Sequence, residues 1–223
     1  NQIFTLARKL TLTENNEILQ EPAGDIESLR TGYKKEAPLT LPANKEIVFK
    51  NIKGNAMEIN LEIDPKDAPV IEMNVSRSAR KEEYTQINFY RERGMGAGRD
   101  YRYGEIARIQ GIQPSRPAQG QANFTRPVAE SLISIESSHS SLHPDVRPRG
   151  PETGSFVMSK EETLKLRIFI DKSVVEVFAN GKQCVAVRVY PSRDDSIGFS
   201  ICSHGQNSEL KSLEAWQMKN IYQ

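Results

Sequence analysis

The stretch DKSVVEVFANGKQ, residues 171–183, sets two carboxylates, Asp171 and Glu176, in the most strongly alternating part of the chain and ends on a hairpin signal. Both central residues of a type I′ turn need positive φ, which Asn tolerates and Gly adopts freely. Asn180-Gly181 therefore predicts a two-residue turn joining a strand at 174–179 to a partner at 182–190. In the first of these, Val174, Glu176 and Phe178 share one face while Val175 and Val177 share the other, because side chains alternate along a strand. Glu176 thus lies on an otherwise apolar face. Two readings follow: a carboxylate at a sheet edge or paired with Arg167 or Arg188, or a catalytic acid whose pKa is raised by burial. Asp171-Lys172 suits a second two-residue turn, with the Asp carboxylate accepting from local backbone N–H groups.

The same period of two recurs at 46–52, 56–64, 69–76, 85–90, 131–137, 164–171, 183–190 and 196–202, with turn residues between the runs. That is the pattern of antiparallel sheets with one buried face each. Only EPAGDIESLRTGY, 21–33, has room for a helical turn or two. Many strands without intervening amphipathic helices predict an all-β fold, two antiparallel sheets packed as a lectin-like (concanavalin-like) sandwich. Two stretches break the rhythm: 91–127, rich in Gly, Arg and Pro, and 137–155, whose Pro144, Pro148 and Pro151 argue against any ladder there. Both read as long excursions.

With 223 residues the chain can bury a substantial core unaided by metal or disulfides. Thirty Lys and Arg against 29 Asp and Glu leave a formal charge of +1, which gives no overall pull toward nucleic acid or an anionic membrane. No run of about 18 apolar residues is present to span a bilayer. The beginning, NQIFTLARKL, has neither Met nor a signal-peptide core and reads as that of a processed product or excised piece. Cys184 and Cys202 are too few for a disulfide framework and lack the spacing of a zinc or redox motif. If 183–190 and 196–202 were neighbouring strands, the register would set Cys184 opposite Cys202 as free thiols, since directly opposed strand residues seldom meet disulfide geometry. The sequons at Asn74 and Asn123 carry little weight alone.

LKLRIFIDKSVVEVFANGKQCVAVRVYP, followed by SIGFSI and LKSLEAWQMKNIY, resembles the C-terminal β-sandwich of glycoside hydrolase family 32, the invertases, inulinases, levanases and related fructosidases. Leu19, Gln20, Pro22, Glu27 and Arg30 match the family's link from catalytic domain to sandwich, so the resemblance runs from near residue 7 to the end and is weakest over 91–130. It implies residues 1–30 as a linker with first strands on the side of a preceding five-bladed propeller, and 31–223 as the sandwich. In that family the propeller carries the chemistry, in Asn-Asp-Pro-Asn-Gly, Arg-Asp-Pro and Glu-Cys motifs. None occurs here: the nearest strings are Arg99-Asp100-Tyr101, Arg193-Asp194-Asp195 and Gln183-Cys184. Retaining glycosidases need two carboxyl groups about 5–5.5 Å apart across the bond, and a sandwich turn offers no such place. The resemblance thus implies an accessory module of a β-fructofuranosidase acting on sucrose, inulin or levan, with Asp171 and Glu176 architectural. It implies no catalytic residue, no cofactor and no metal in this chain, and a secreted or periplasmic parent. The propeller is the expected partner, docked on a patch bordered by Ile3 to Leu12; once uncovered, that patch could pair two copies as a homodimer. The other reading is an independent lectin-like, carbohydrate-binding sandwich.

The remaining constellations have plainer explanations. Gly94 to Arg99 lacks the helix that a phosphate-cradling loop opens. His139, His143 and His204 lack metal-ligand spacing with nearby carboxylates. Ser137 to Ser141, around His139, sets hydroxyls beside an imidazole, but a triad also needs an orienting acid and an oxyanion hole, which sequence does not show. Tyr84, Phe89, Tyr90, Tyr101 and Tyr103 could stack on sugar rings, yet alternation buries some of them, and Trp216 reads as core or interface.

Overall fold

A computed structural model describes residues 4–91, 131–147 and 149–220. Fifteen strands are found among them: β1 Arg8–Leu12, β2 Ile18–Pro22, β3 Arg30–Glu36, β4 Leu39–Leu41, β5 Glu46–Lys53, β6 Ala56–Asp64, β7 Val70–Arg77 and β8 Thr85–Tyr90, then β9 Ser131–Glu136, β10 Glu152–Phe156, β11 Leu164–Asp171, β12 Val174–Ala179, β13 Gln183–Arg188, β14 Gly198–His204 and β15 Ser208–Met218. One 3-10 turn, Ile26–Leu29, is capped by the Asp25 carboxylate accepting from Ser28 N–H. It falls within the stretch expected to hold helix.

The strands form a seven-stranded sheet in the order β13-β12-β11-β6-β15-β3, with β4 also on β15, and a six-stranded sheet in the order β10-β9-β8-β7-β14-β5. A separate hairpin pairs β1 with β2. Every strand pairing is antiparallel. Alternation places Met57, Ile59, Leu61 and Ile63 of β6, with Ile168 of β11 and Val175 and Val177 of β12, on the inner face of one sheet; Ile71, Met73, Ile87, Phe89, Ile133, Ile135 and Ile201 meet them from the other. Each such fully buried aliphatic side chain stabilises the fold by about 1.5–3 kcal/mol relative to exposure. The expected sandwich is the observed fold.

Three local expectations need correction. Asn180 and Gly181 do take positive φ, 51° and 64°, and Lys182 N–H closes the turn on Ala179 O. Ala179, however, lies opposite Gln183, so Lys182 is an extra residue outside the ladder. Because the side-chain period is two, a one-residue slip exchanges the faces of a strand. The extra residue therefore sends Val185 and Val187 into the core and Cys184 outward. The preceding turn comprises Lys172, at φ 51°, and Ser173, not Asp171-Lys172: Asp171 still pairs with Val174 and Ala56.

The third correction concerns the cysteines. β13 is an edge of the seven-stranded sheet and β14 is inside the six-stranded one, so the chain changes layers at 191–197 instead of turning back. Cys184 lies opposite Phe178, Cys202 opposite Glu46 and Glu72; both are free thiols but not neighbours. The 137–155 excursion also contains the start of β10, which pairs with β9 despite the prolines before it. Tyr90, at the end of β8, lies opposite Leu132 of β9, so the other excursion leaves and rejoins the sheet at adjacent points.

Space is open around Gly181, where an added Cβ would meet nothing within 4 Å, so a substitution there tests φ alone. Gly181→Val is expected to cost on the order of 1 kcal/mol or more, and Gly181→Asn much less. Equal midpoints for the two variants in urea unfolding would refute the turn geometry.

Candidate functional site

The outer face of the seven-stranded sheet carries the answer to Glu176. Phe169, Phe178 and Cys184 form a second apolar cluster there, covered by Leu6, Ile26 and Met218. Glu176 stands among them at 2% exposure, and its carboxylate accepts from Leu6 N–H at 2.9 Å, from Arg8 Nη2 at 3.2 Å and from Cys184 Sγ at 3.4 Å. Neither Arg167 nor Arg188 is its partner. The ion pair reaches 168 residues along the chain and binds the N-terminal segment onto the sheet. Burial, with the Glu176 charge beside it, pushes the Cys184 thiol up to about 12, so it is no nucleophile near neutrality.

A second buried carboxylate lies on the same face. Glu58 is fully buried and accepts from Arg30 Nε and Nη2 at 2.8 and 2.7 Å and from Arg167 Nε at 2.9 Å. Arg167 continues to Glu27 at 2.9 Å, and Arg30 stacks 4.2 Å above the half-buried Trp216 ring. A carboxylate between two guanidinium groups has its charge compensated and its lone pairs used. Glu58 is thus spent on architecture. The 3-10 turn and β3 are fastened to β6 and β11 through it.

Above these ion pairs the β1–β2 hairpin rests on the sandwich by one end. Gln20 N–H donates to Gly181 O at 2.7 Å and Gln20 Nε2 to Lys182 O at 3.2 Å. On the same face of the hairpin Leu10, Leu12 and Ile18 stay exposed, and Phe4 is 92% exposed. Ile3, the start of the segment expected to border a docking patch, lies outside the described residues.

A third carboxylate ties loops together. Glu83, fully buried, accepts from Leu142 N–H at 2.7 Å, Ser192 N–H and Arg193 N–H at 3.1 Å, Ser196 Oγ at 2.7 Å and the Ser192 hydroxyl. Burial alone would raise its pKa, but the hydrogen bonds from Ser192, Ser196 and the backbone prevail and bring it to about 2. Across the six-stranded sheet's outer face Glu46 is likewise held at about 2: burial opposes, while Arg77, Ser200 and Lys81 outweigh it.

The other sequence candidates separate. His204 bonds Glu72 at 2.9 Å, His139 stacks on Tyr84 at 4.8 Å between centroids, and His143 is exposed near Asp145. Ser138 bonds Glu136, and among the described residues no three metal-ligating side chains cluster. Asn74 is fully buried, with its amide donating to Glu72. Phe89 is core, whereas Tyr101, Tyr103, Asn123 and Gly94 to Arg99 lie outside the described residues.

Asp171 is exposed at a strand end, opposite Val174, whereas Glu176 is buried two rungs further along the same face, opposite Phe169. Sequence reasoning missed Arg8, Glu58 and Glu83. Each sits in a stretch that reads as ordinary solvent-facing charge, and each finds its partners in segments distant in sequence.

Two outcomes are expected. Arg8→Ala, which leaves Glu176 buried with fewer donors, should cost on the order of 1–3 kcal/mol and speed amide exchange over residues 6–12, with Lys9→Ala neutral. Unchanged exchange would refute the clamp. Because the folded-state pKa values of Glu83 and Glu46 lie below the ordinary Glu value of 4.5, their stabilisation is complete above that value and is lost as pH falls toward 2. Unfolding midpoints measured across this window should fall, and Glu83→Gln should flatten the fall.

A family model described as "Glycosyl hydrolases family 32 C terminal" matches residues 25–217. The levanase of Bacillus subtilis (strain 168) is 24% identical over 98% of this chain, which spans 27% of that protein. A fructan 1-exohydrolase of Aegilops speltoides is 26% identical over 97% of the chain, which spans 37% of it. Among solved structures, fructan 1-exohydrolase IIa from Cichorium intybus superposes with a TM-score of 0.72 at 17% identity over 96% of this chain and 40% of its own. An exo-inulinase from Aspergillus awamori does so with a TM-score of 0.62 at 16% identity over 96% and 35%. The sandwich, the anchored N-terminal hairpin and the match across most of the chain agree: this chain belongs to the C-terminal domains of glycosyl hydrolase family 32.

Proposed function

We propose that this chain is the accessory sandwich of an enzyme that cleaves β-fructofuranosides such as sucrose, inulin or levan, and that it stabilises and flanks a catalytic propeller without supplying catalytic groups. Residues 1–30 act as the link and 31–223 as the sandwich. The observation that carries this reading is the β1–β2 hairpin: one end is fixed by Glu176, Arg8 and Gln20, while Leu10, Leu12 and Ile18 of the same face are left in solvent. An interdomain face of roughly 600–1,500 Å² is typical for domains in one chain, and a preceding domain would cover these side chains. The relatives' names supply the substrate class, and the chain's share of their length leaves room for the catalytic part.

The carboxylates support the same reading. Glu58, Glu83 and Glu176 each accept from several donors that also hold two or more segments together, so their oxygens are engaged in the fold. The exposed apolar residues also suit pairing of two copies when the preceding domain is absent.

The purified chain is expected to release no fructose from sucrose, inulin or levan. Release abolished by Asp171→Asn or Glu176→Gln would overturn the accessory role. In a longer protein that includes the preceding domain, Leu10→Asp with Leu12→Asp should lower the unfolding temperature, and in this chain alone it should not. An equal effect in both would place the hairpin's apolar face outside the interdomain contact.

A further inference from the structure

Beside the hairpin, the outer face of the seven-stranded sheet opens into a groove of about 400 Å³, walled by Leu19 to Pro22 of β2 and floored by β15, β6 and β11. Its size falls in the range of roughly 300–1,000 Å³ usual for small-ligand clefts. The strand register orders its floor as two rows. Glu214, Asn60 and Arg167 lie opposite one another in the first, and Ser212, Glu62 and Lys165 in the second. Neighbouring strands are about 4.8 Å apart and same-face residues about 7 Å apart along a strand, so the rows cover roughly the area of one or two sugar rings.

The rows differ in what they have left to offer. Arg167 is held by Glu58 and Glu27, and Glu214 accepts from Tyr33 Oη at 2.6 Å, so the first row is a fixed wall of already paired groups. In the second, Thr163 Oγ1 uses one oxygen of Glu62, while among the described residues the Ser212 hydroxyl and the Lys165 ammonium enter no hydrogen bond. Donors, an acceptor and a hydroxyl therefore stand side by side. Each row carries one carboxylate and one cation, so an anion entering the groove meets Glu62 and Glu214, and a cation meets Lys165 and Arg167. Leu19 and Pro22 add apolar surface suited to the C–H faces of a ring.

We infer that this groove binds a segment of a neutral oligosaccharide, its hydroxyls bonded by Ser212, Glu62 and Lys165 and its ring faces laid against β2. The inference stands on the groove's own chemistry, so it survives or fails apart from the accessory role proposed above.

Titration calorimetry and affinity electrophoresis of the 223-residue chain with inulin, levan and a malto-oligosaccharide, and with polygalacturonate as an anionic probe, provide the test. Saturable binding of at least one neutral probe, millimolar or tighter, is expected. Ser212→Trp should fill the groove and weaken that binding by about tenfold or more, and Lys165→Ala by a smaller factor, with Gln86→Ala on the other sheet's outer face without effect. Circular dichroism shows whether each variant is folded, and Lys165→Ala, an exposed position, keeps the test decisive should the Trp variant misfold. No saturable binding of any neutral probe overturns the inference. So does binding indifferent to both groove variants, and so does tighter binding of polygalacturonate than of every neutral probe.

Discussion

A charge buried on the outside of a sheet is a demanding requirement, and Glu176 imposes it. An ionised carboxylate deprived of water costs several kcal/mol unless donors replace the lost hydration. Here the donors come from Leu6 and Arg8, at the other end of the chain from the strand that carries Glu176. The N-terminal segment therefore has one favourable position on the sandwich. Leu6 then covers the Phe169–Phe178 cluster, and the hairpin that follows is set at a fixed angle to the sheet. Whatever precedes the segment inherits that direction. Removing the carboxylate would free the segment, whereas removing the arginine would strand a charge.

The two other buried carboxylates extend the scheme. Glu58 fastens the 3-10 turn and β3 across β6 and β11, and Glu83 gathers three loops at one end of the six-stranded sheet. In each case a single acidic side chain satisfies several donors from segments far apart in sequence, which isolated surface ion pairs do not do and which is why those contribute little. The sandwich core supplies cohesion without direction. These carboxylates supply direction.

How much of this could be read beforehand divides along the same line. Strands at 56–64, 85–90, 164–171 and 174–179 were legible to the residue, because each buries one face and so writes a period of two into the sequence. β3, RTGYKKE, and β10, ETGSF, were not: both are edge strands with little apolar surface to bury, and nothing in their composition separates them from loop. The Asn180-Gly181 turn was legible, but Lys182 as an extra residue was not, since one added residue leaves the local signal intact while exchanging the faces of the next strand. That slip, together with the change of layer after β13, separates the two cysteines. The oddity of Glu176 was visible as a charge among apolar neighbours. Its partner was not, because a contact spanning most of the chain leaves no local trace.

The pairing of Tyr90 with Leu132 has a consequence for how such a domain can change over time. The sheet holds the two ends of the segment between β8 and β9 on one ladder rung, Tyr90 opposite Leu132, and so fixes the distance its chain has to span. Closing a loop costs entropy that grows with the logarithm of its length, about 0.6 kcal/mol for each doubling. As far as loop closure goes, material can therefore be gained or lost between those two ends at small thermodynamic cost. Chain length is cheap at this corner, whereas the clamp on the outer face of the other sheet fixes its segment residue by residue.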